Sequence, residues 1–117
     1  MSELNPSIMS GFTGTENLYR HLGGIVFTDG VKYVADTTGG YWLLDLIFSH
    51  QLDKKVRKEE FQVWKLEVTY NGNAAKAICE DGDGKAITTQ DIEFTDFPAP
   101  GITLWFINKT ILLPSEY

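Results

Sequence analysis

Residues 40–52 read GYWLLDLIFSHQL. Wound as a helix, Tyr41, Trp42, Leu43, Leu44, Leu46, Ile47, Phe48 and Leu52 cover nearly every direction around the axis. A helix apolar all round is normally buried on most sides. The spacing therefore predicts a helix over about 41–52 wrapped by other elements, with Asp45 and Ser49, four apart, as its one narrow polar stripe. The fold turns on what does the wrapping.

Upstream, Thr28 is a good N-cap, Asp29 suits a first turn, and Val31, Val34 and Ala35 recur at helical spacing before Gly39-Gly40. Asp29-Gly30 between Ile25-Val26-Phe27 and Val31-Lys32-Tyr33 is also a hairpin signal. The helical reading, 29–38, accounts for more of the segment. Further back, Thr13 with Glu16 three residues on reads as a capping box that starts a helix running to about Leu22, with Gly23-Gly24 as its left-handed stop. Met1 to Gly11, with Pro6 and small polar residues, reads as a flexible arm.

Downstream the period changes to two. Gln62, Trp64, Leu66, Val68 and Tyr70 alternate with Lys65, Glu67 and Thr69, the pattern of a strand with one buried face. Asn71-Gly72 is a turn, and Ala75, Ala77 and Cys79 form the small face of the next strand. Asp81-Gly82-Asp83-Gly84 turns the chain again, Ala86 to Phe97 returns, and Pro98-Ala99-Pro100-Gly101 breaks the run. Ile102 to Ile107 is apolar on almost both faces, and Asn108-Lys109 leads tightly into Thr110 to Leu113. The expected fold is α+β: N-terminal helices packed on a C-terminal antiparallel sheet of about four to five strands. Residues 1–11 form the arm and 12–117 a single domain.

Several segments, in order and over nearly the whole chain, carry a resemblance. They are Phe12-Thr13-Gly14-Thr15-Glu16 with Tyr19-Arg20-His21, then Thr28-Asp29-Gly30-Val31-Lys32-Tyr33 and Tyr41-Trp42-Leu43-Leu44-Asp45. Phe61-Gln62-Val63-Trp64-Lys65-Leu66, Thr95-Asp96-Phe97-Pro98 and Leu113-Pro114-Ser115-Glu116-Tyr117 complete the set. Together the pattern resembles a family of short bacterial proteins of unknown function, found also with phage and other mobile elements. The resemblance implies a one-domain protein and transfers no catalytic or binding residue.

Bulk composition narrows the function classes. The chain has 117 residues, 43% hydrophobic and 13% aromatic, too greasy for a disordered protein. Its net charge of −6 disfavours nucleic acid, because phosphate contacts need Lys and Arg. The charge is uneven: Lys54, Lys55, Arg57 and Lys58 form a basic knot, and residues 80–96 hold six acids against Lys85. The plain reading is a solvated loop beside an acidic surface strand. A bipolar surface that steers a partner is the sharper one. Cys79 is the lone cysteine, which excludes an internal disulfide and fits a reducing cytoplasm. No signal peptide or membrane-length apolar run is evident, so a cytoplasmic protein is expected.

Motifs for specific chemistry are weak. Asp81-Gly82-Asp83-Gly84-Lys85 begins like a calcium loop, but Lys85 and Ile92 stand where the further ligands belong. His21 and His50 lack metal-ligand spacing, so neither a metal nor a cofactor is expected. Cys79 reads as a buried small hydrophobe rather than a nucleophile. Asp45 stands out, since a lone buried carboxylate is costly. It can bond locally to Ser49 or a turn N–H, or pair with Arg20 or His21. It can also line a pocket with Tyr41, Trp42 and Asp96.

These six residues, Arg20, His21, Tyr41, Trp42, Asp45 and Asp96, are the candidate binding set, and no catalytic residue is assigned. The surplus of apolar faces favours a non-enzymatic protein-interaction module, homodimeric or docked on another protein, and associated with a mobile element. The alternatives are a small enzyme with a carboxylate and histidine acid-base site, or a domain binding a small ligand in an aromatic pocket.

Overall fold

The computed structural model describes residues 4–14, 16–69 and 73–117. Tyr70 and the Asn71-Gly72 turn lie outside the described residues, as do residues 1–3 of the expected arm and Thr15. The first element, α1 (Pro6–Ser10), is a short helix where the sequence suggested a loose arm. The Asn5 carboxamide caps it, accepting from Ser7 N and Ile8 N. Leu4 and Met9 rest against the core.

Among the described residues the expected helix from Thr13 to Leu22 does not form. In its place stand β1 (Leu18–Arg20), a 3-10 turn (Leu22–Gly24) and β2 (Val26–Thr28), with β1 and β2 antiparallel. The physical reason is a competing carboxylate. Asp29 Oδ2 accepts from Glu16 N at 3.1 Å and Asn17 N at 3.2 Å, and Asp29 Oδ1 takes the Tyr19 hydroxyl at 2.9 Å. This draws the segment across β2 instead of into a helix. Gly23 and Gly24 do adopt left-handed φ values of 65° and 80°, but they turn a hairpin rather than end a helix.

The next two helices lie close to expectation. α2 (Asp29–Thr38) is capped by Thr28 Oγ1 on Val31 N and closed by Gly39 at φ 70°. α3 (Tyr41–His50) buries Leu43, Leu44, Leu46 and Ile47. It is not wrapped all round: Tyr41 is exposed, and Asp45, expected inside, is 58% exposed. The basic knot forms α4 (Lys54–Arg57), capped by Asp53 and turned so that Val56 alone is buried.

Five strands follow: β3 (Phe61–Val68), β4 (Ala75–Glu80), β5 (Ala86–Ile92), β6 (Gly101–Ile107) and β7 (Thr110–Leu112). Among the described residues the sheet has seven strands in the order β1-β2-β7-β6-β3-β4-β5. This corrects the expected four to five, since the sequence reading missed β1 and β2. All pairs are antiparallel except β2 with β7, which run parallel. Nor are the helices gathered at the N-terminus. Three of them form the crossover between β2 and β3.

Register assigns the two faces. Phe27, Ile111, Phe106, Leu104, Trp64, Leu66, Ala77 and Cys79 share one face and are buried beneath the helices. Trp64 lies opposite Cys79, and Leu66 opposite Ala77, so small side chains of β4 accommodate the bulky row of β3. Gln62, 1% exposed, is satisfied within this layer. It exchanges bonds with the Gln51 carboxamide at 2.8 and 2.9 Å, and also bonds Trp64 Nε1, Val56 O and Glu59 O.

Candidate functional site

The six candidate residues do not form one pocket. His21, just past β1, and Asp45 on α3 do meet: His21 Nε2 lies 2.7 Å from Asp45 Oδ1, with the imidazole largely buried edge-on to Phe27. Of the partners foreseen for Asp45, His21 is therefore the one found. Ser49 instead donates to Leu46 O at 2.7 Å. The pair ties the β1–β2 hairpin to α3.

Tyr41 belongs to a different network. Its hydroxyl donates to Asp36, which also receives Lys32 Nζ at 2.6 Å. The Lys32 bond holds the Asp36 carboxyl below the ordinary carboxylate value, and the Asp36 bond raises the Tyr41 phenol. Trp42 lies between two shallow hollows. One is shared with Asp45, Ser49 and Gln90, the other with Phe94, Thr95 and Asp96. Asp45 and Asp96 thus address separate hollows. Arg20 is exposed on the edge strand β1.

The histidines and the cysteine lie in separate surroundings. His50 Nε2 contacts Gln90 Oε1 at 2.7 Å and its ring lies against Trp64, so the two histidines serve separate contacts. Burial pushes the Cys79 thiol up to about 12, which keeps it protonated and a poor nucleophile. Among the described residues no cluster of three His, Cys, Asp or Glu side chains is placed to hold a metal ion. No helix among them is long and apolar enough to cross a membrane.

The feature the candidate set missed is the outer face of the sheet. By register, Phe61 and Val63 of β3, Ile78 of β4, and Trp105 and Ile107 of β6 lie on the side away from the helices. Each is half-buried, where its strand neighbours on the helix side are buried. Phe61 and Trp105 have ring centroids 5.0 Å apart. Tyr117, itself 78% exposed, reaches across with its ring 5.3 Å from Trp105. The signal was in the sequence: Ile102 to Ile107 is apolar at both parities, which a one-sided sheet does not require.

Charges frame this strip in pairs. Lys65 Nζ lies 3.1 Å from Glu80 Oε1, and Lys76 Nζ 4.0 Å from Asp91 Oδ1. With Arg20 and Glu67, the outer-face strand positions carry three cations and three carboxylates. These strand positions sum to zero on a chain of net charge −6.

No curated protein and no solved structure matches the chain. The model of a family of unknown function, DUF6876, matches residues 4–117. The chain therefore belongs to the DUF6876 family.

Proposed function

We propose that this protein is a non-enzymatic interaction module that packs the outer face of its sheet against a second copy of itself. The observation that carries this reading is the strip of Phe61, Val63, Ile78, Trp105 and Ile107, half-buried on the face of the sheet away from α2 and α3. Contiguous apolar patches of this kind mark interaction sites on soluble proteins. Large aromatics at the centre of such a patch carry most of the association energy.

A second copy fits better than an unlike partner because of the charge balance. Two chains of net charge −6 repel one another through most of their surfaces. The outer face is where three cations offset three carboxylates, so face-to-face approach meets little net repulsion. Two sheets stacked at about 10 Å, turned by about 30°, would interdigitate the two aromatic strips as in a β-sandwich.

Sedimentation velocity tests this directly. The wild-type chain is expected at twice its 13.2 kDa mass at micromolar concentration. Trp105→Glu is expected to sediment as a monomer with an unchanged far-ultraviolet circular dichroism spectrum. Leu52→Glu, at a position 72% exposed away from the sheet, should leave the dimer intact. A wild-type monomer throughout that concentration range would overturn the reading.

A further inference from the structure

A second site lies away from the aromatic strip. The loop from Thr95 to Gly101, the Leu113–Ser115 segment and the Leu4 and Met9 side chains line a groove of about 900 Å³. Phe61, Trp105 and Tyr117 take no part in it. A volume of this order suits a small organic molecule, for which cavities run about 300–1,000 Å³.

The groove has a stiff wall. Thr95 N donates to Asn73 O at 2.6 Å, Phe97 N to Thr95 Oγ1 at 3.1 Å, and Gly101 N to Pro98 O at 3.0 Å. Val68 N donates to Pro100 O at 2.9 Å, tying the loop to β3. Gly101 sits at φ 112°, and a Cβ there would lie 1.7 Å from Leu66 O, so loop and strand are in backbone contact. A wall fixed in advance spares a ligand the entropy of ordering it.

Its chemistry is one-sided. Val68, Phe97, Pro98, Ile102 and Leu113 supply apolar lining, while Thr69, Asn73 and Thr103 are neutral. Asp96, exposed to solvent, is the sole ionised residue among the described residues that line it, and none of these is Lys, Arg or His. An anion entering here would meet Asp96 and the field of an acidic chain with no base to answer it.

We infer that the groove binds a small amphipathic molecule with an apolar body and a positively charged head, the body along the 95–101 loop and the head at Asp96. This inference does not depend on dimerisation.

The test is amide chemical-shift titration of the isotope-labelled full chain with dodecyltrimethylammonium, dodecyl maltoside and dodecyl sulfate, each below its micellar concentration. Dodecyltrimethylammonium is expected to give saturable shifts centred on residues 95–103. The maltoside should bind more weakly and the sulfate not at all. Asp96→Asn should weaken the cationic probe roughly threefold, the scale of one exposed charge contact, and leave the maltoside unchanged. Ala99→Trp, or Ser115→Trp should the first variant misfold, should abolish the shifts. Equal binding of the sulfate, shifts centred on Phe61 and Trp105, or no saturable shift with any probe would overturn the proposal.

Discussion

Glu116 and Thr28 are far apart in the chain and 2.6 Å apart in space, the Thr28 hydroxyl donating to Glu116 Oε1. The same carboxylate accepts from Gly30 N at 3.1 Å and Leu113 N at 2.9 Å. It therefore sits at the positive end of α2, where a carboxylate is favoured by the helix dipole and by N–H groups that lack partners within the helix.

Removing that carboxylate should loosen both segments at once. Glu116→Ala is expected to lower stability by about 1.5–3 kcal/mol, the range for hydrogen bonds to charged groups. Glu116→Gln, which keeps an acceptor, should cost less. Urea denaturation followed by circular dichroism gives the numbers. Equal stability of Glu116→Ala and wild type would mean that the contact contributes nothing.

The Gln51–Gln62 exchange makes a second prediction. Gln62→Leu buries an apolar group of similar size but takes the partners from Trp64 Nε1, Gln51 Oε1 and Glu59 O, while Val56 O keeps Glu59 N and Gln51 Nε2 keeps Ile47 O. A loss of about 2–4 kcal/mol is expected, because each buried polar group left unpaired carries its desolvation cost. A double-mutant cycle with Gln51→Leu should recover part of it, since that change removes one of the stranded amides.

Acid should act through Asp29 and Asp36. The Tyr19 bond and the Lys32 bond hold their respective carboxyls below the ordinary 3.8. A depressed folded value means that the stabilisation is present above about 3.8 and lost as pH falls through the folded values. The urea midpoint should thus decline as pH falls below 4. Asp29→Asn should flatten that slope, and a slope equal to wild type would remove Asp29 from the account. At the alkaline end Tyr19 and Tyr41 are raised above 10.0, so their contribution is lost as pH rises beyond that value.

Cys79 offers a kinetic test. It is buried, with its thiol held near 12, so a thiol reagent at pH 8 should modify it only through transient opening. Labelling is expected to be slow in native buffer and immediate in denaturant. Complete modification within seconds in native buffer would show that β4 does not protect it.

What the sequence disclosed depended on whether the deciding contact was local. α2 was legible because Thr28 and Gly39 cap it from adjacent positions. β3 was legible because Trp64, Leu66 and Val68 alternate against solvent. The Asn108-Lys109 turn was legible too, and both residues take positive φ, 51° and 59°. β1 was not legible: three residues carry little pattern, and the Asp29 carboxylate that organises them lies ten or more positions away. Asp45 misled for a related reason. The apolar girth of α3 suggested enclosure, but the sheet covers one side, so the carboxylate could stay in water and pair with His21. Of the candidate set, the His21–Asp45 contact was within reach of sequence reasoning, and the outer strip was signalled only by the two-sided strand β6.

The parallel pairing of β2 with β7 has a bearing on biogenesis. Val26 finds its sheet partner in Thr110, so the hairpin made first on the ribosome has no strand to join until β7 has been synthesised. At about 5–20 residues per second, that wait is on the order of ten seconds. Until then the crossover helices lack much of the surface they cover, leaving a nascent chain with an interval in which a chaperone could engage it.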